Sequence, residues 1–99
     1  MGKASEAAPY LQKAVALSPN MADGYFQLGK AFSDEGKLEE AEKNWLKVIQ
    51  LGAGTELAAP THYQLAQLYQ KQERTQEAEK ELDLFRKLQG RLQGKKVGD

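Results

Sequence analysis

The sequence predicts an all-α fold of tandem helix–turn–helix repeats, with about five antiparallel helices in 99 residues. The first observation is internal repetition. Residues 2–20 align with 36–54 at a shift of 34, and residues 24–48 align with 61–85 at a shift of 37. The second observation is the spacing of the apolar residues, which recur every three or four positions within each repeat. No segment shows the alternation of polar and apolar residues that predicts a half-buried strand.

Turn signals divide the chain into these helices. Pro19 and Asn20 separate the first helix from the second, and Asn20 is the expected N-cap of the second. Gly36 separates the second helix from the third, and residues 72–75 separate the fourth from the fifth. We therefore expect helices near 4–18, 22–35, 38–52, 58–72 and 75–92.

The junction LGAGTELAAP, residues 51–60, holds the three residues by which the second shift exceeds the first. Gly52 or Gly54 is expected to end the third helix, because glycine adopts a positive φ without strain. Pro60 suits the first turn of the fourth helix, where its missing N–H costs nothing. We expect either a longer and more mobile turn or an early start of the fourth helix. A phosphate-binding loop is disfavoured, because a helix and not a strand precedes the glycines.

The repeats share a pattern of aromatic and small residues. Residues 22–55 carry it as Tyr25, Leu28-Gly29, Phe32, Gly36, Ala41, Trp45 and Val48. Residues 59–92 carry a looser version, with His62, Ala66 and Glu73 in place of an aromatic and two glycines. Residues 2–21 match only the second helix of a unit. This pattern resembles the tetratricopeptide repeat.

The resemblance implies a short right-handed superhelical solenoid, formed by a single domain over residues 1–99. The expected parts are the second half of a repeat at 2–21, full repeats at 22–55 and 59–92, and a polar tail at 93–99. We expect the chain to be a piece of a longer array, because the match begins at the turn before a second helix. The first helix would then expose an apolar stripe that favours self-association, formed by Ala7, Leu11, Ala14 and Val15.

Composition and motifs argue against catalysis and against cofactor or metal binding. Charged residues make up 28% of the chain, its net charge is zero, and it has no cysteine. The single histidine, His62, occupies a core-facing position without metal-ligand spacing or a nucleophile beside it. No apolar run is long enough to span a bilayer. The C-terminal basic residues are typical of a helix C-terminus and lack interleaved aromatics for nucleic-acid binding: Arg86, Lys87, Arg91, Lys95 and Lys96.

The resemblance places the partner-binding residues on the first helix of each full repeat, because these helices line a concave groove in the family. The corresponding positions are Phe26, Lys30, Ser33 and Asp34 on one helix and Tyr63, Gln67, Gln70 and Lys71 on the other. Phe26 and Tyr63 lie off the packing stripe. They are expected either to contact a ligand or to pack between adjacent repeats. The Lys, Asn and Arg clamp of chaperone-binding members is not reproduced.

The sequence therefore predicts a non-catalytic scaffold that binds a partner peptide or segment in the groove. The alternative is a regulatory or spacer segment of a larger enzyme or envelope protein, which positions other domains. Neither nucleic-acid binding nor membrane insertion is expected. Sequence that flanks this chain would distinguish the two functions, since catalytic or membrane segments favour the alternative.

Overall fold

The computed structural model describes the backbone of residues 2–52 and 55–97 and the side chains of residues 7–52 and 56–90. All regular structure within these residues is helical, which confirms the predicted all-α fold. The five helices are α1 (Gly2–Leu17), α2 (Ala22–Asp34), α3 (Leu38–Gln50), α4 (Thr55–Lys71) and α5 (Thr75–Val97). They form two compact units, Met1–Ala53 and Gly54–Asp99. Helix α2 packs on both α1 and α3 in the first unit, and α4 packs on α5 in the second.

The core of the first unit lies between α2 and α3. Both helices bury a stripe at helical spacing, formed by Leu28, Gly29, Ala31 and Phe32 on α2 and by Ala41, Trp45 and Val48 on α3. The indole N–H of Trp45 donates to the main-chain carbonyl of Phe26 at 3.1 Å, so the largest core side chain also has its polar atom paired. Helices α2 and α3 pack on each other as predicted, and the two buried stripes lie between them.

Helix α1 approaches α2 at a glycine. A Cβ atom at Gly24 would lie 2.6 Å from Cγ1 of Val15, so only glycine permits this approach without a shift of the valine. Ala8 of α1 is buried, and Leu11 and Val15 are half-buried. One face of α1 is therefore occupied by α2.

The core of the second unit repeats this arrangement with different side chains. Leu65, Ala66, Leu68 and Tyr69 of α4 are buried, as is Ala78 of α5. Thr61 is also fully buried, and its hydroxyl donates to the Leu57 carbonyl one turn earlier at 2.8 Å. This bond removes the cost of burying an unpaired hydroxyl.

The turns inside the two full repeats have the same geometry. Gly36 has φ of 80° and Glu73, at the equivalent position, has φ of 60°. In each turn the next residue's N–H reaches back five positions at 2.8 Å, from Lys37 to Phe32 and from Arg74 to Tyr69. These bonds satisfy carbonyls that a helix end leaves without partners. Glu73 therefore adopts the left-handed conformation that favours glycine.

The cap of α2 and the C-terminal end of α5 differ from the prediction. The N-cap of α2 is Met21, which makes no side-chain capping bond, so the prediction of Asn20 as the cap is wrong. The chain enters α2 through the main-chain bond from the Met21 N–H to the Ser18 carbonyl at 3.0 Å, and this bond needs no capping side chain. Helix α5 continues to Val97 and not to 92. The side chains of the predicted polar tail at 93–99 lie outside the described residues.

The junction between the units shows how the three additional residues are used. Gly52 has φ of 71° and ends α3 as predicted, whereas Gly54 lies outside the described residues. Helix α4 begins at Thr55, three residues before the expected start at 58, which confirms the early start. Pro60 is consequently the sixth residue of α4, so the prediction that it lies in the first turn is wrong. Its missing N–H leaves the Glu56 carbonyl without the usual helical bond.

Candidate functional site

The predicted partner-binding residues of α2 lie off its buried stripe. Lys30 and Asp34 are exposed, and Phe26 and Ser33 are half-buried. The four residues follow one another at intervals of four, three and one, which places them along one side of the helix. We call this set, Phe26, Lys30, Ser33 and Asp34, the α2 stripe.

Phe26 connects the α2 stripe to the core of the first unit. Its carbonyl accepts the bond from Trp45, so the main chain beneath the phenyl ring is tied to the largest buried side chain. The ring itself remains half-buried. The α2 stripe therefore rests on a main-chain segment that is anchored to α3.

The predicted residues of α4 form the equivalent set at a shift of 37 residues. All four members of this α4 stripe are exposed, namely Tyr63, Gln67, Gln70 and Lys71. The side-chain amide of Gln67 donates to the Tyr63 hydroxyl at 3.2 Å. The α4 stripe consequently contains an aromatic ring whose polar end is already oriented by a neighbour.

Tyr63 also packs within its own repeat. Its ring centroid lies 5.1 Å from that of Phe85 on α5, with the rings tilted by 45°. Sequence reasoning left two roles for Tyr63, a ligand contact or packing between repeats, and did not foresee this contact within the repeat. Tyr63 nevertheless remains 39% exposed, so part of the supported ring faces solvent.

His62 makes a polar contact between α4 and α5. Its Nδ1 lies 2.6 Å from Oε1 of Glu81, and the two side chains are only 12% and 17% exposed. Sequence reasoning expected a partly buried packing residue, and His62 is half-buried, but the partner Glu81 was missed. A signal was present, because these two residues replace Tyr25 and Asn44 together at the shift of 37.

In residues 7–52 and 56–90 no three side chains of His, Cys, Asp or Glu cluster closely enough to hold a metal ion. No helix among the described residues combines the length and the apolar character that crossing a membrane requires.

The predicted self-association stripe of α1 is only partly exposed. Ala14 is exposed, whereas Ala7, Leu11 and Val15 are half-buried, and Val15 faces Gly24 of α2. The most exposed large apolar side chains of α1 are two that the prediction left out, Tyr10 at 78% and Leu17 at 85%.

Only part of the C-terminal basic group lies among the described side chains. Arg86 and Lys87 are exposed, and Arg86 pairs with Asp83 at 3.4 Å. The side chains of Arg91, Lys95 and Lys96 lie outside the described residues.

The sequence model of the tetratricopeptide repeat matches residues 22–51 and 59–84, which is more than half of the chain. The first range contains α2 and α3, and the second contains most of α4 and the first part of α5, up to residue 84. A comparison with curated proteins gives no significant match. Tetratricopeptide repeats generally mediate protein–protein interaction as non-catalytic scaffolds. The paired helices, their shared turn geometry and this match show that the chain belongs to the tetratricopeptide repeat family.

Proposed function

We propose that this chain is a non-catalytic scaffold in which the α2 stripe and the α4 stripe are each a binding surface for a partner peptide. The single observation that supports this best is the state of Tyr63. A large aromatic side chain is held between Phe85 and Gln67 while 39% of it stays exposed. Aromatic residues are frequent interface anchors, and an anchor that is already oriented loses less entropy on binding.

The remaining stripe residues define the chemistry of the partner. Gln67 and Gln70 carry side-chain amides, which both donate and accept hydrogen bonds and so suit a peptide main chain. Two lysines and one aspartate, Lys30, Lys71 and Asp34, give the two stripes together a small positive charge. The partner we propose is therefore a peptide with apolar anchor residues and few or no positive charges.

Selection from a library of displayed random peptides tests this proposal. Peptides that bind the wild-type chain are measured by calorimetry against the double variant Phe26→Ala/Tyr63→Ala. We expect affinity to fall at least about tenfold, because truncation of an aromatic anchor typically costs about 2 kcal/mol or more. Because Tyr63 also packs against Phe85, its replacement removes a contact within the repeat. Far-UV circular dichroism therefore checks that the variant keeps the helix content of the wild type.

A matched control uses two exposed leucines on the second helices of the repeats. Leu46 of α3 is 45% exposed and Leu84 of α5 is 41% exposed, so the double variant Leu46→Ala/Leu84→Ala removes similar apolar surface elsewhere. The selected peptides should bind this control within about twofold of wild type. The proposal fails if the control loses affinity while Phe26→Ala/Tyr63→Ala does not. Failure to select any peptide would favour the spacer function over the scaffold.

A further inference from the structure

The contact between α1 and α2 is an internal template for how a helix packs on the second helix of a repeat. Helix α1 presents Ala8, Leu11 and Val15 on the side that α2 occupies, and Val15 meets Gly24 there. The shifts of 34 and then 37 residues carry these three positions onto α5 as Glu79, Leu82 and Arg86. The corresponding side of α5 is thus the side on which a further helix would pack.

An open groove lies at that position on α5. It has a volume of about 350 Å³ and runs along Thr75, Glu79, Leu82, Asp83 and Arg86, with Gln70 of α4 at its rim. Leu82 is half-buried on the groove floor, between exposed charged residues. We call this feature the α5 groove. Its α5 residues lie along one side of the helix, and a groove of this kind accommodates the side chains of a second helix.

We infer that the α5 groove binds α1 of a second copy of this chain, so that copies associate head to tail. The bound surface of α1 is the side turned away from Val15, formed by Tyr10, Lys13, Ala14 and Leu17 at helical spacing. Tyr10 and Leu17 are the two most exposed large apolar side chains in the described part of the chain. Leu82 would lie between them.

Charge complementarity argues for this occupant. The α5 groove carries two carboxylates, Glu79 and Asp83, against the one guanidinium of Arg86. Helix α1 contains two basic residues, Lys3 and Lys13, and one acidic residue, Glu6, so its side chains carry one net positive charge. A net negative groove therefore faces a positive helix, which favours this pairing and disfavours groove against groove.

The proposed contact is heterologous, because α1 of one copy meets α5 of the next. Such contacts leave a free α1 at one end and a free groove at the other, so association continues with concentration and does not stop at a dimer. A single helix in a single groove is a small interface, and we expect association only at high protein concentration.

Sedimentation equilibrium of charge-swapped variants tests the inference. One variant, Glu79→Lys/Asp83→Lys, makes the groove positive, and the other, Lys13→Glu, makes α1 negative. Each alone sets like charges against each other, and we expect its association constant to fall about tenfold at low salt. An equimolar mixture restores opposite charges at both kinds of contact, so association should recover to within about threefold of wild type.

The mixture separates lost contacts from lost folding, because a variant that fails to fold would not recover when mixed. A control, Glu39→Lys/Glu40→Lys, makes the same change of charge on exposed residues of α3 and should associate as wild type does. The inference is overturned if the wild type stays monomeric at the highest concentration reached. It is equally overturned if the mixture associates no more than its separate components, or if the control weakens as much as the groove variant.

Discussion

Trp45 determines which residue can stand opposite it on α2. A Cβ atom at Gly29 would lie 2.5 Å from the indole carbons Cδ1 and Cε2, which no side chain tolerates. The equivalent pair in the second unit is Ala66 and Leu82, where a smaller side chain on α5 accompanies a larger one on α4. The two repeats therefore divide the side-chain volume differently at equivalent positions, with glycine and tryptophan in one and alanine and leucine in the other.

The substitution Gly29→Ala should destabilise the chain by about 2 kcal/mol, because overpacking against a rigid indole outweighs the better helix propensity of alanine. Urea unfolding followed by circular dichroism measures the change. In a Trp45→Leu background, which copies the second repeat, the same substitution should be neutral or stabilising by up to about 1 kcal/mol.

Gly90→Ala is the matched control for this prediction. No atom lies within 4 Å of a Cβ at Gly90, so alanine should stabilise α5 by about 1 kcal/mol through helix propensity alone. Equal effects of Gly29→Ala in the wild-type and Trp45→Leu backgrounds would contradict the steric account.

Glu73 is a second residue at which the sequence departs from the repeat, and the structure shows the consequence. Its φ of 60° is costly for a residue with a side chain, whereas Gly36 adopts the equivalent 80° freely. Glu73→Gly should therefore raise the free energy of unfolding by about 1 kcal/mol, measured by chemical denaturation.

The same substitution at a helical position has the opposite expected sign. Glu79 lies inside α5, so Glu79→Gly should lower stability by about 0.5–1 kcal/mol. Destabilisation by Glu73→Gly would show that the glutamate side chain contributes more than its backbone strain costs.

At the scale of the elements, Arg74 joins the end of α4 to the first turn of α5. Its Nε and Nη2 donate to the two carboxylate oxygens of Glu77 at 2.8 and 2.6 Å. The guanidinium lies 4.2 Å from the ring centroid of Tyr69. The hydrogen bond from Arg74 is the main cause that holds the pKa of Glu77 below its ordinary value of 4.5, and burial opposes it.

This lowered pKa predicts a pH-dependent contribution to stability. Because the folded pKa lies below the unfolded one, the contribution is complete above about pH 4.5 and is lost as pH falls through the folded pKa. Glu77→Gln should lower Tm at about pH 7, and the difference from wild type should shrink at about pH 3. In an Arg74→Gln background the substitution should change Tm by nearly the same small amount at both pH values. A difference that stays constant with pH in the wild-type background would contradict the assignment.

The helices and their pairing follow from the sequence because they depend on repeated core stripes, such as Ala41, Trp45 and Val48. Helix ends depend on weaker local preferences. Met21 therefore replaces Asn20 as the cap of α2 without a side-chain bond. At the junction, three additional residues suit either a longer turn or a longer helix. The good helix formers that precede Pro60 extend α4.

The residues of the α2 and α4 stripes were assigned from the resemblance to the tetratricopeptide repeat, and they lie outside the buried stripes of their helices. The sequence did not predict the contact of Tyr63 with Phe85, because that contact depends on the side-chain rotamers and on how α4 packs against α5. The bond between His62 and Glu81 was not predicted either, since their joint departure from the other repeat marks the two positions but does not show that the side chains meet.

At the scale of the whole molecule, each of the two units has its own core and presents one stripe of the same pattern. Aromatic, polar and charged residues recur at the shift of 37. We therefore propose that the two stripes share one function. The chain would then carry two kinds of surface, the stripes of α2 and α4 for a peptide and the α5 groove for a second copy. Gln70 belongs to both surfaces, so peptide binding and self-association are expected to compete weakly.

Peptide binding at the two stripes is tested most directly by a nuclear magnetic resonance titration of the isotopically labelled chain with a peptide selected on it. We expect chemical-shift changes to concentrate at the α2 and α4 stripes, with the side-chain amides of Gln67 and Gln70 among the most affected. Changes concentrated instead around Leu46 and Leu84, with both stripes unaffected, would contradict this expectation.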